Sequence, residues 1–148
     1  MPKLNASRAL AFPAALVTSL ILSSAAAAAE ARSLYERMGG QPTVQAVVDD
    51  VIDDAANNPK LKRSFEKVNL ARLKHMLALE ICQVTGGGCQ YTDDSMHDVH
   101  AGLGITEAEF YGMVEVLRTS MRRHGVGLRE RNELLRILAP MKRDVVER

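Results

Sequence analysis

The sequence predicts an all-α domain, on three observations. Apolar residues recur at helical rather than strand spacing through almost every segment after residue 32. Glycine, proline and asparagine clusters cut those segments at helix-length intervals. Helix-starting residues stand where the apolar stripes begin, Asn69 and Thr106 above all.

The chain has 148 residues, enough for one domain. It opens with a basic, acid-free stretch containing Lys3 and Arg8, then the apolar run ALAFPAALVTSLIL, then SSAAAAAEA. A charged start, a short apolar stretch and small residues at the end read as a secretory signal. The run is short for a membrane span of ~20 residues and contains Pro13. Residues 1–29 are therefore expected to be cleaved near Ala29, leaving residues 30–148 as the mature domain, exported and periplasmic, with no stable membrane insertion. The whole chain has 19 Lys and Arg against 18 Asp and Glu; without Lys3 and Arg8 its net charge becomes −1. No basic excess is left to attract nucleic acid, and aromatic residues, at 4% with no tryptophan, are too few for base stacking.

Each element follows from its neighbours. SLYERM is a short helix stopped by Gly39-Gly40. Pro42 stands where a first helical turn tolerates it. Val44, Val47, Val48, Val51, Ile52 and Ala55 then form a stripe. So many valines raise a strand alternative, which the 3.6-residue period and the acidic face of Asp49, Asp50, Asp53 and Asp54 outweigh. NNP ends this helix, and a short turn surrounds Phe65. Asn69 caps a stripe of Leu70, Leu73, Leu77, Ile81 and Val84, which the glycine run 86–88 stops. DDSMHDVH is a short helix ended by AGLG. Thr106 and Glu109 form a capping box, with Ile105 and Phe110 at the two positions of a hydrophobic staple. Phe110, Met113, Val114, Leu117 and Met121 carry that helix to Gly125. A single last helix shows Leu134, Leu138, Met141 and Val145. About six helices result, with no internal repeat.

Two pairs of residues bear chemistry. Cys82 and Cys89 flank the glycine run; in an exported chain a disulfide is expected, worth roughly 2.5 kcal/mol for so small a loop. No C-x-x-C-H occurs, so c-type haem attachment is not indicated. His97 and His100, three apart, share one helix face. Alone they read as solvated, or as part of a zinc site only if both cysteines stay reduced. His75 and His124 sit among polar neighbours and read as surface residues.

SLYERMGG, Phe65, the helix from Asn69, GGGCQYT, and MHDVHAGLGIT followed by a phenylalanine stand together in one order and spacing. In these features, from Ser33 to about Asp144, the chain resembles a group I truncated haemoglobin. The resemblance implies a truncated globin fold, a two-over-two helical sandwich around a haem b (iron protoporphyrin IX) held without a covalent link. It makes His100 the proximal ligand of the haem iron and places His97 at the pocket rim or in solvent. Phe65 matches the phenylalanine packed on the porphyrin, and Met96, Ile105, Phe110, Met113 and Leu117 fall where the family lines the pocket. The family's distal tyrosine and glutamine positions hold Ile52 and Leu77 here, and Leu73 completes a wall without donors. An iron-bound dioxygen finds no hydrogen-bond donor in such a wall, which disfavours tight oxygen storage and nitric oxide dioxygenation.

Two functions follow from this reading. One is reversible binding of diatomic gases (O2, NO, CO) opposite His100. The other is electron transfer or redox sensing with a partner protein, Met76 closing onto the iron as a sixth ligand, since a methionine–histidine axial pair raises the potential. Met76 also reads as simple core filling. A haem-free interaction module and a peroxidase are further classes; for the latter, His75 is the nearby acid–base candidate.

Overall fold

The computed structural model describes residues 32–147; the expected signal segment lies outside the described residues. Among these are seven α-helices: α1 Leu34–Arg37, α2 Gly40–Asn57, α3 Leu70–Val84, α4 Met96–His100, α5 Glu107–Arg123, α6 Leu128–Leu138 and α7 Lys142–Val145. Short 3-10 turns cover Lys62–Ser64 and Ala139–Met141.

The caps act where short-range chemistry places them. The Asn69 side chain accepts from the Arg72 N–H at 3.0 Å. Thr106 and Glu109 bond reciprocally, the Glu109 N–H donating to the Thr106 hydroxyl and the Thr106 N–H to the Glu109 carboxylate. Ser33 and Glu36 form a second such box at α1. Gly39, at φ +106°, occupies the left-handed region as the chain turns from α1 into α2.

The valine stripe of α2 is the hub of the core. Val44, Val47, Val48, Val51 and Ile52 are all buried, packed with Leu34, Met38, Ile81, Leu117, Met121, Val126 and Leu134. Helix α2 packs on both α3 and α5. The buried Ser120 hydroxyl of α5 donates to the Val47 carbonyl at 3.0 Å, so the crossing is fixed by a hydrogen bond as well as by shape. The acidic face of α2 meets cations on its neighbours. Lys74 of α3 reaches Asp53 at 2.8 Å, and Arg123 of α5 and the following His124 reach Asp50 at 2.7 and 2.8 Å. His124 is thus partly buried, its Nε2 held 2.8 Å from Asp50, rather than a free surface residue.

Two elements differ from the sequence expectation. The single last helix is broken: α6 ends at Leu138, a 3-10 turn follows, and α7 resumes at Lys142. Pro140 lacks the amide hydrogen for the helical ladder, and its ring crowds the preceding turn. The histidine helix is also shorter than the DDSMHDVH stretch, because Ser95 caps it and Met96 begins it.

Candidate functional site

Helix α4 has five residues and none is buried. A helix this short does not hold itself, and here it is tied at both ends. At its start, the Ser95 hydroxyl accepts from the Asp98 N–H at 3.2 Å. The loop leading to it runs back along α3. Cys89 is disulfide-bonded to Cys82 in the last turns of α3. The Tyr91 N–H donates to Gln83, and Asp93 pairs with Arg72 in the first turn of α3 at 2.6 Å. This return path brings Ser95 back to the beginning of α3. The disulfide also removes the thiols a zinc site needs, and no cluster of three or more metal-ligating side chains occurs among the described residues.

Past its end, the chain is clamped from two sides. The Glu147 carboxylate accepts from the Gly102 and Gly104 N–H groups at 2.6 and 2.9 Å. The Arg63 guanidinium donates to the Leu103 and Gly104 carbonyls at 3.1 and 2.9 Å and pairs with Glu109. The Arg63 guanidinium, with help from Thr106, pulls the Glu109 carboxyl down to about 2. The turn after His100 is thus fixed to the C-terminal segment, to the start of α5 and to the 3-10 turn that precedes Phe65.

His100 itself is half-buried, and its Nδ1 lies 2.7 Å from the Met96 carbonyl oxygen. A carbonyl only accepts, so Nδ1 carries a hydrogen, and in the neutral ring the lone pair then falls on Nε2. A neutral imidazole oriented by a backbone carbonyl, with Nε2 free, is the form in which histidine ligates a metal. His97 is exposed, its side chain 72% accessible, and its Nδ1 faces Asp98 of its own helix.

The remaining candidate residues divide by burial. Ile52 and Leu117 belong to the sealed core, and Ile105 is buried just before α5. Phe65, Leu73, Leu77 and Met113 pack against that core but are only half-buried. Met76, Met96 and Phe110 are also half-buried and lie outside the set packed against the core. Half-buried apolar side chains on α3, α4 and α5 at the edge of the core have the chemistry to meet a broad apolar group such as a porphyrin. The His100 Nε2 fits its iron. The bound group would supply an iron centre for diatomic ligands; the protein supplies the imidazole and an apolar surround.

His75 does not join this set. It is exposed and lines a groove with Tyr35, Gln41, Gln45 and Cys82, on the side of α3 turned to α1 and α2. Glu80 is the residue that sequence reasoning missed. It is buried, 7% exposed, one turn beyond Leu77 on the α3 stripe. Its spacing from Leu73 and Leu77 (seven and three residues) was the available signal.

The comparisons with known proteins agree with this architecture. The family model described as bacterial-like globin matches residues 33–147. A group 1 truncated haemoglobin, GlbN, from Nostoc sp. (strain MUN 8820) is 28% identical over 110 residues, covering 74% of this chain and 93% of the relative. Its counterpart from Mycolicibacterium paratuberculosis is 29% identical over 117 residues, covering 79% and 86%. Among solved structures, the Fe(III) truncated haemoglobin of Tetrahymena pyriformis superposes with a TM-score of 0.75 at 19% identity, over 79% of this chain and all of that one. The 2/2 haemoglobin of Synechococcus sp. PCC 7002, in the cyanomet state with covalently attached haem, gives 0.73 at 23%, again over 79% of this chain and all of that one. The two-over-two helical fold is therefore shared, and this chain belongs to the bacterial-like globin family as a group I truncated haemoglobin.

Proposed function

We propose that the protein holds one non-covalent haem b whose iron is bound by the Nε2 of His100, and that it reversibly binds small diatomic gases on the opposite side. The carrying observation is the 2.7 Å contact of His100 Nδ1 with the Met96 carbonyl, which leaves Nε2 as a free, oriented donor. Half-buried Leu73 and Leu77 are the distal contacts, and Ile52, expected beside them, is sealed in the core. They favour carbon monoxide and nitric oxide, which need little hydrogen bonding, over dioxygen, which needs a donor. Non-covalent binding is supported by the absence of C-x-x-C-H and by a disulfide that takes up both cysteines. The disulfide also supports export to an oxidising compartment, consistent with the signal-like residues 1–29.

A second reading rests on Met76. It is half-buried beside Leu77 on α3 yet absent from the core packing, which suits a thioether free to approach the iron. The protein would then be a six-coordinate electron carrier or redox sensor serving a partner protein. Ferric and ferrous absorption spectra of the haem-loaded protein separate the two. A high-spin ferric spectrum, unchanged in Met76→Ala, supports gas binding. A low-spin spectrum that turns high-spin in Met76→Ala, with faster carbon monoxide binding, supports the redox reading.

A further inference from the structure

Glu80 is more than nine-tenths buried, and its carboxyl has no hydrogen bond or ion pair among the described residues. Burial disfavours the charged form of such a group unless something compensates it, and no group among the described residues does. Its place on α3 says what would. Leu73, Met76, Leu77 and Glu80 recur at i, i+3, i+4 and i+7, so they share one face, the face assigned above to the haem. Glu80 stands about one 5.4 Å helical turn beyond Met76 and Leu77. The opposite side of α3 is accounted for elsewhere: Lys74 meets α2, and His75 lines the groove toward α1 and α2.

The groups around Glu80 leave it free to act. Tyr91, on the loop that runs back along α3, feels the Glu80 charge. The phenol donates to the Asp94 carbonyl at 3.2 Å, and burial, then Asp93, hold it protonated, so it neither shares the Glu80 charge nor competes as a base. Asp93 is taken up by Arg72. From α4, the His100 Nδ1–H donates to the Met96 carbonyl. Burial pushes the Glu80 carboxyl above its ordinary range, which makes its ionised form a stronger base.

We infer that Glu80 is the acid–base group of the distal pocket, and that it adapts the haem to ligands that arrive as weak neutral acids H–X, such as hydrogen sulfide, hydrogen peroxide or hydrogen cyanide. This inference deepens, and rests on, the haem-binding reading. The Glu80 carboxylate accepts the proton of H–X, directly or through one water. The H–X bond breaks, an O–H bond forms at Glu80, and X⁻ keeps the electron pair, which is the form a ferric haem held by His100 would take up. Charge and atoms balance without any oxidant or reductant. The carboxylic acid so formed is a hydrogen-bond donor in a wall that otherwise has none. Ligands that bring no proton, such as carbon monoxide, draw nothing from it.

The test uses haem-loaded ferric protein and three chains: wild type, Glu80→Gln and Glu80→Leu. Cyanide is the H–X probe, imidazole the probe that needs no deprotonation, and carbon monoxide the probe of the ferrous state. The expected result is cyanide association slowed by ~10²-fold in both variants, with imidazole and carbon monoxide unchanged. The wild-type cyanide rate should also climb with pH through the titration of one carboxyl, a limb missing from Glu80→Gln. Haem-loaded variants that bind cyanide at the wild-type rate, or that slow all three probes alike, would overturn the role of Glu80 and leave haem binding standing. A wild-type protein that takes up no haem would overturn both.

Discussion

At the residue scale, the His100 imidazole carries the site because its two nitrogens are made unequal. The Met96 carbonyl accepts the hydrogen bond of Nδ1, which in the neutral ring puts the lone pair on Nε2. Gly87 carries the architecture behind it. A Cβ there would lie 2.5 Å from the Cys82 sulfur and 2.7 Å from the Tyr35 ring. Gly87→Ala is therefore expected to destabilise the protein by about 1–3 kcal/mol, read as a lower midpoint in urea. Glu80 marks the opposite trade. Its carboxyl makes no hydrogen bond or ion pair among the described residues, so Glu80→Leu should raise the thermal midpoint of the haem-free protein while removing the acid–base chemistry. A lower midpoint in that variant would mean that the carboxyl has a structural partner.

At the element scale, α4 is a short helix held by others. Ser95→Ala removes its only side-chain cap and should cost about 1 kcal/mol, with faster haem loss as the more sensitive reading. Glu147→Ala leaves the Gly102 and Gly104 amides without their acceptor. It should speed haem loss in the same way, from a site 47 residues further along the chain than His100. The start of α5 adds a pH dependence. The Glu109 carboxyl is held at about 2 against an ordinary 4.5, by Arg63 first and then Thr106. A depressed carboxyl stabilises the fold above its unfolded value, and that stability is lost as pH falls from 4.5 toward 2. Glu109→Gln should flatten acid unfolding over that window and leave its shape near neutrality unchanged.

The same scale shows what the sequence could disclose. Asn69, Thr106 and the Gly39 turn act within three or four residues, so their chemistry stands in the local sequence. The Ser33–Glu36 box was equally local, an S-x-x-E pattern, and was passed over. Pro140 was hidden by the continuous apolar spacing of Leu134, Leu138, Met141 and Val145, which runs unbroken across the kink. The Arg63 and Glu147 clamp joins segments about 40 residues apart, and no spacing rule reaches that far. Glu80 drew no reading from the sequence because a charged residue beside an apolar stripe is ordinarily solvated; its burial emerges only in the fold.

At the scale of the whole molecule, α2 gathers α3 and α5 into one core, while the α3–α4 loop doubles back along α3 before α4 presents His100. The Cys82–Cys89 bond pins that loop. Its reduction should lower stability by roughly 2.5 kcal/mol and leave the haem absorption bands in place; bands that moved on reduction would show that the loop also governs the iron. The central claim is that His100 supplies the iron ligand, and one measurement addresses it most directly: the ferrous absorption spectrum of His100→Gly, recorded with haem before and after adding imidazole. The account predicts weak haem retention that falls further than the ~10–100-fold seen when a ligand merely loses its hydrogen-bond partner, and a wild-type spectrum restored by imidazole in the vacated space. A His100→Gly protein that holds haem with the wild-type spectrum, and ignores imidazole, would contradict it.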